Sequence, residues 1–166
     1  MIIRKAEFDE YPAILEFYYS ISESMTDSPY RPVWRRDSYP NMEDLVGNLF
    51  IADLENEGII GAILINNRPD NGMDKGAWTL STDQVAYSHL PAVSPGHQGE
   101  GVARKLLTHA IDSVRSWAET VRLVTLANNT PAKRLYEEYG FHSVGDVDVE
   151  YAGVGMKTLT LYEYII

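Results

Sequence analysis

Two glycines one residue apart, in Gln98-Gly99-Glu100-Gly101-Val102-Ala103, stand directly ahead of a stretch with apolar residues at helical spacing. A helix N-terminus exposes backbone N–H groups that have no acceptor of their own and carries a partial positive charge. A tight glycine turn leading into one therefore makes an anion site. Behind the turn, Val102, Leu106, Leu107, Ala110, Ile111 and Val114 recur at the helical period, a core-facing stripe that would hold the N-terminus rigid. The competing reading is that the glycines merely join a strand to a helix. Nucleotide-binding patterns do not match: there is no Gly-x-x-x-x-Gly-Lys-Ser/Thr, and a dinucleotide fingerprint wants a third small residue where Arg104 stands.

Of the four histidines, His89 alone lies on the apolar run leading to this loop, with Tyr87 on the same face by two-residue alternation. His97, His109 and His142 show no metal-ligand spacing and read as surface or structural residues, so no metal is expected. With no cysteine, the sequence offers no disulfide framework, no thiolate metal site and no thioacyl-enzyme intermediate on its own sulfur. The 166 residues fit one domain with a single core. A net charge of -10, from 24 acidic and 14 basic residues, argues against nonspecific nucleic-acid binding, which needs a cationic surface. Met1-Ile2-Ile3-Arg4-Lys5 lacks the pattern of a signal peptide and no apolar run reaches membrane-spanning length, so the expectation is a soluble cytoplasmic protein without a membrane partner.

The elements that must position these residues follow from periodicity. Ile2 to Ala6 reads as a strand, and Asp9 as the N-cap of a helix with Ile14, Leu15, Tyr18 and Ile21 on one face. Asp27 to Tyr39 is irregular, and a short helix is expected at Met42 to Asn48. Leu49 to Leu54 and Ile59 to Asn66 are β-branched runs around Glu55-Asn56-Glu57-Gly58, a hairpin, followed by a polar Gly-rich loop from Asn67 to Gly76. Then come a strand over Gln84 to Val93, a helix over Gly101 to Ala118, a strand over Val121 to Ala127 and a helix over Pro131 to Tyr139. Phe141 to Glu150 and Lys157 to Ile165 form a terminal hairpin around Ala152-Gly153-Val154-Gly155. This order implies a mixed α/β or α+β sheet with helices on its faces, not a pure doubly wound sheet.

The loop Gln98-Gly99-Glu100-Gly101-Val102-Ala103 has the Gln/Arg-x-x-Gly-x-Gly/Ala form of the GNAT superfamily of N-acetyltransferases. The block Asn129-Thr130-Pro131-Ala132-Lys133-Arg134-Leu135-Tyr136-Glu137-Glu138-Tyr139-Gly140-Phe141 resembles that family's Asn-x-x-Ala-x-x-Leu-Tyr-x-x-x-Gly-Phe signature. The resemblance covers essentially the whole chain. It implies a mixed, mostly antiparallel central sheet of about six to seven strands with helices on both faces. It also implies acetyl-coenzyme A as acyl donor, held at its diphosphate by Gln98, Gly99, Gly101, Val102 and Ala103. Glu100 departs from the basic residue of many members and is expected to face solvent.

Acyl transfer from a thioester to an amine needs a neutral amine, donors for the developing oxyanion and a proton for the departing thiolate. An alkylamine has a pKa of about 10.4 in water, so a base must take its proton. His89 matches by its offset from Val93 the histidine given that role in arylalkylamine N-acetyltransferases. Tyr87 stands where histone-acetylating members carry a glutamate base. The alternative for His89 is a histidine packed within the sheet. By resemblance Tyr136 is the general acid and contacts the cofactor. Its alternative is packing, with Ala132, Leu135 and Tyr139, on one helical face. Asn129 by resemblance hydrogen-bonds the pantetheine arm, or caps the following helix. Pro91 departs from the family, where a backbone N–H near this position polarises the acetyl carbonyl. A proline has none, so Ala92 or Val93 is expected to supply that amide, and the proline to mark a bulge or break in the strand.

The resemblance implies an N-acyltransferase moving an acetyl group to a primary amine of a small molecule or peptide by direct transfer in a ternary complex. The rival is a noncatalytic acyl-coenzyme A binding or sensing domain, which Pro91 favours. In Asp27 to Asp44, Tyr30, Arg31, Trp34, Arg35, Arg36 and Tyr39 lie where family members build part of the acceptor site. These aromatics suit an apolar or cationic amine, and the arginines a carboxylate or simply solvent. Family habit adds a homodimer through the terminal hairpin to the expectations.

Overall fold

The computed structural model describes residues 1–31 and 47–166. The helix expected at Met42 to Asn48 falls, except for its last two positions, outside the described residues, as do Trp34, Arg35, Arg36 and Tyr39. Among the described residues the strands are β1 (Ile2–Lys5), β2 (Leu49–Leu54), β3 (Gly58–Asn66), β4 (Val85–Val93), β5 (Thr120–Leu126), β6 (His142–Tyr151) and β7 (Gly155–Ile165). The helices are α1 (Tyr11–Ser24), α2 (Val102–Val114) and α3 (Thr130–Tyr139). The strands form one sheet in the order β1-β2-β3-β4-β5-β7-β6, mixed and mostly antiparallel, as the sequence implies. By packing the chain divides into two compact units, Met1–Asn66 with Leu90–Ser113 and Asn67–His89 with Val114–Ile166.

In the first unit β1 pairs antiparallel with β2, and β2 with β3. The β2–β3 turn is possible because Asn56 and Gly58 take φ of 74° and 77°, a region open to glycine and tolerated by asparagine. Arg4 ties the β1 edge by donating to Asp53 at 2.7 Å and to Glu10 at 2.6 Å. Ile14, Phe17, Tyr18 and Ile21 of α1 join Leu49, Ile51, Ala62, Leu64 and Ala92 in the core, while Leu15 is only half-buried. Phe17 was hidden from the periodic reading, and Asp9 is not the cap of α1. It lies in a 3-10 turn, Phe8–Glu10, where Glu10 accepts the Glu7 N–H at 2.7 Å, and Pro12 sets the start of α1 after it. Gly61 of β3 faces α2 so closely that a Cβ there would stand 2.9 Å from Leu106 and 3.1 Å from Val102. That approach seats α2, whose six expected core residues are all buried. Rather than at Ala118 the helix ends at Val114, where the Trp117 N–H closes onto the Val114 carbonyl at 3.0 Å in a tighter turn three residues long.

In the second unit β4 pairs parallel with β5 from Val85 opposite Thr120 to Tyr87 opposite Arg122, and β7 pairs antiparallel with both β5 and β6. Helix α3 starts where Asn129 Oδ1 accepts the Ala132 N–H at 3.2 Å. It stops at Gly140, φ 119°, whose N–H turns back to the Tyr136 carbonyl. Tyr136, Tyr139, Phe141, Tyr162 and Tyr164 stack edge and tilt between α3 and β7 with centroids 5.2–5.9 Å apart. A buried ion pair closes the other end. Glu163, fully enclosed, accepts Arg122 Nε at 3.2 Å, Arg122 Nη2 at 3.1 Å and the Thr79 N–H at 2.8 Å. Arg122 also donates to the Leu80 carbonyl at 2.6 Å and lies 4.4 Å from the Trp78 ring.

Candidate active site

The glycine loop belongs to the first unit. Gly99 and Gly101 take φ of 83° and 78°, values that cost an L side chain strain, and nothing crowds a Cβ at either. Their glycine identity therefore answers to backbone shape and not to space. Gln98, Gly99 and Gly101 are exposed, Ala103 is half-buried, and Val102 is buried beneath the first turn of α2. The Lys105 N–H is bonded to the Gly101 carbonyl, so the amides that begin α2 point out of a helix end already in register. Positive backbone ends, an exposed turn and a helix fixed on Gly61 together suit an anion.

Glu100 is exposed, as expected, but not isolated. His97 holds Glu100 through Nδ1 and Glu57 of the β2–β3 turn through Nε2, each at 3.0 Å. Glu100 first and Glu57 second raise the His97 pKa above its ordinary value. A protonated His97 thus offsets the carboxylate that stands beside the loop. His97 is a structural clamp, in keeping with the surface or structural reading of its sequence position, which did not signal its two partners.

Upstream of the loop, Leu90 takes φ 50°, a left-handed backbone in a residue with a full side chain. β4 nevertheless runs on through Pro91 to Val93, so the irregularity in this strand is the left-handed backbone at Leu90 and not a break at Pro91. Tyr18, completely buried, donates its hydroxyl to the Leu90 carbonyl at 3.0 Å, and burial drives its phenol pKa far up, so the group stays a neutral donor. Pro91 is exposed, Ala92 buried and Val93 half-buried, and the Ser94 N–H closes onto the Ile60 carbonyl at 2.8 Å. Sequence reasoning missed Tyr18, whose place on the apolar face of α1 signalled only packing.

His89, Asn129 and Tyr136 belong to the second unit. His89 is 9% exposed, with Nδ1 2.9 Å from Asp70 Oδ2. Tyr136 is 4% exposed, with Phe141 and Tyr162 at 5.8 and 5.7 Å; burial pushes its phenol well above the usual range and keeps it protonated. The packing alternative for Tyr136 is thus present in full, as is the capping alternative for Asn129, and neither occupies all of the side chain's polar capacity. His109 bonds its own helix at Lys105, and His142 lies on the Thr79 hydroxyl at 2.9 Å. Among the described residues no cluster of three or more His, Cys, Asp or Glu could hold a metal ion, and no helix is long and apolar enough to cross a membrane.

The family model of the acetyltransferase (GNAT) family matches residues 15–141, a span that includes the glycine loop and the Asn129 to Phe141 block. The chain belongs to this family. Streptothricin acetyltransferase of Escherichia coli is 29% identical over 127 residues, 74% of this chain and 60% of that protein. N-alpha-acetyltransferase 40 of Saccharomyces cerevisiae is 29% identical over 122 residues, 68% of this chain. The chain spans only 42% of the yeast relative's length and 60% of the bacterial one's. In fold it is similar to the solved structure of yncA from Salmonella typhimurium with its cofactor acetyl-CoA, with a TM-score of 0.71 at 21% identity over 99% of this chain and 93% of that one.

Proposed function

We propose that this acetyltransferase-family chain moves the acetyl group of acetyl-coenzyme A to a primary amine of a small molecule or peptide, directly and in a ternary complex. The observation that carries this reading is the exposed turn of Gly99 and Gly101, both left-handed, at the start of a helix seated against Gly61. Gln98, Gly99, Gly101, Val102 and Ala103 hold the diphosphate through backbone N–H groups, and Asn129 uses its side-chain amide N–H for the pantetheine arm. His89 removes a proton from the ammonium form of the acceptor. The freed amine nitrogen attacks the acetyl carbonyl, whose oxygen is stabilised by the Ala92 or Val93 amide, since Pro91 has no N–H.

As the C–S bond breaks, the thiolate takes the Tyr136 proton. A thiol ionises at about 8.5 and an ordinary phenol at about 10, so this transfer is uphill even before burial raises Tyr136 further. It therefore proceeds only with immediate return of a proton to the phenolate, which the amide nitrogen being formed must lose in the same phase. The names of the two relatives, one referring to streptothricin and one to an N-alpha position, support an amine acceptor.

The test is a panel of small amines and peptides assayed for coenzyme A release, after acetyl-coenzyme A has been shown to raise the unfolding temperature. Release with one acceptor class, and its loss in His89→Gln, is the expected result. An unchanged rate and unchanged ionisation below neutrality in His89→Gln would overturn the base assignment. A thermal shift with no release from any acceptor would favour the noncatalytic binder, the reading that Pro91 supports.

A further inference from the structure

The loop between β3 and β4, Asn67 to Gln84, carries a carboxylate with no role in the reading above. Asp70 Oδ2 lies 2.9 Å from His89 Nδ1. An ionised carboxylate can only accept, so the imidazole must donate from Nδ1, and in the neutral ring the lone pair then resides on Nε2.

The loop that presents Asp70 is anchored to its own unit. The Met73 N–H returns to the Asp70 carbonyl at 3.3 Å, and Met73 is buried. Trp78 Nε1 donates to the Met73 carbonyl at 2.9 Å, and Lys75 Nζ to the Asp148 carbonyl at 3.1 Å on β6. Gly72, φ 86°, packs so tightly on Val149 that a Cβ would come within 2.6 Å of it. Tyr151 of β6 also faces the carboxylate: its phenol pKa is raised by burial first and by the Asp70 charge second. Asp70 thus stands as a fixed acceptor, half-exposed, between His89 and Tyr151.

We propose that Asp70 is a positioning residue that fixes His89 in the Nδ1–H tautomer and aims Nε2 at the acceptor ammonium. This rests on His89 being the base. Asp70 touches no reacting atom; it acts through the ring. In the same way a buried aspartate orients the histidine of a hydrolytic triad, where an asparagine in its place gives the wrong tautomer.

The experiment uses the full chain labelled with 15N-histidine, comparing wild type with Asp70→Asn, Asp70→Ala, Asp70→Glu and His89→Gln, each first checked for an unchanged urea midpoint. In wild type the His89 nitrogen shifts report a proton on Nδ1. In Asp70→Ala that preference is lost, and in Asp70→Asn it moves toward Nε2–H. This readout needs no acceptor, so it decides the orientation claim by itself. With an acceptor, kcat falls on the order of 10- to 100-fold in Asp70→Ala, part of the 10²–10⁴ that a general base supplies. KM for acetyl-coenzyme A stays within about twofold, because Asp70 lies outside the residues assigned to that cofactor. Asp70→Glu restores part of the rate. An unchanged tautomer, or wild-type kcat, in Asp70→Ala overturns the proposal. If His89→Gln is inactive while Asp70→Ala is fully active, only the positioning claim falls. If His89→Gln is fully active, the base assignment falls first.

Discussion

Replacing Glu163 by glutamine removes one charge from a buried pair and leaves the shape almost intact. The carboxylate has Arg122 on Oε1 at 3.1–3.2 Å and, on Oε2, the Thr79 N–H at 2.8 Å with His142 Nε2 further off at 3.5 Å. A glutamine amide has one oxygen, so either Arg122 or Thr79 faces an NH2 group instead. Arg122, only 7% exposed, keeps its charge and its bond to the Leu80 carbonyl, but loses its counter-ion. Breaking one side of a buried pair typically costs about 3–5 kcal/mol. Glutamine still accepts one donor, so the lower end, about 3 kcal/mol, is the expectation. At roughly 2–4 °C per kcal/mol for a domain of this size, the Tm falls by about 6–12 °C. Urea unfolding of Glu163→Gln should show a lower midpoint at unchanged m, with little effect of added salt because the pair is enclosed. The double variant Arg122→Met with Glu163→Leu should cost less than the sum of its singles, since the orphaned charge is gone. A loss below about 1 kcal/mol in Glu163→Gln, or strict additivity in the double variant, would refute the reasoning.

Tyr18→Phe deletes the donor to the Leu90 carbonyl and should cost about 1–3 kcal/mol in urea titration, the usual loss for an orphaned buried acceptor. Gly101→Ala, at φ 78° with no steric neighbour, should lose about 1–2 kcal/mol of stability through backbone strain alone and shrink the thermal shift given by acetyl-coenzyme A. Tyr136→Phe should lower kcat far more than it weakens acetyl-coenzyme A binding; equal turnover would reject the acid role. His97 has a folded pKa raised above its ordinary 6.5 by Glu100 and Glu57. The stability it contributes is fully present below its unfolded value and is lost as pH rises through the folded one. A pH series of unfolding midpoints should therefore separate wild type from His97→Gln on the acid side of neutrality and bring them together at alkaline pH.

The elements around the chemistry were legible because each carries a local signal. The helical stripe of Val102 to Val114 and the Gly140 stop of α3 follow from periodicity and from φ requirements that one residue type meets cheaply. What escaped the sequence depends on partners far along the chain. Tyr18 reads as one more apolar position until Leu90, 72 residues later, offers its carbonyl. Asp70 reads as loop polarity until His89 comes to its side. Asp9 fails to cap α1 for a local reason, since Glu10 precedes the first turn, without a side-chain cap bond, and Pro12 sets that turn. The hydroxyl of Tyr136 and the amides of Ala92 and Val93 owe their expected roles to the family pattern, because neither spacing nor hydrophobicity distinguishes a catalytic phenol from a packed one.

The bridge from Glu57 through His97 to Glu100 joins letters forty and three positions apart into one unit of inheritance. As copies of this gene diverge, a lysine at position 57 would confront a histidine that also has Glu100 to satisfy, and loss of His97 would leave two carboxylates near an anion-binding turn. Drift at these three positions should thus be correlated, though only loosely, because both carboxylates are open to solvent. An acidic residue in the glycine loop would then serve as a marker for a histidine three residues before it, and for a hairpin turn that answers it.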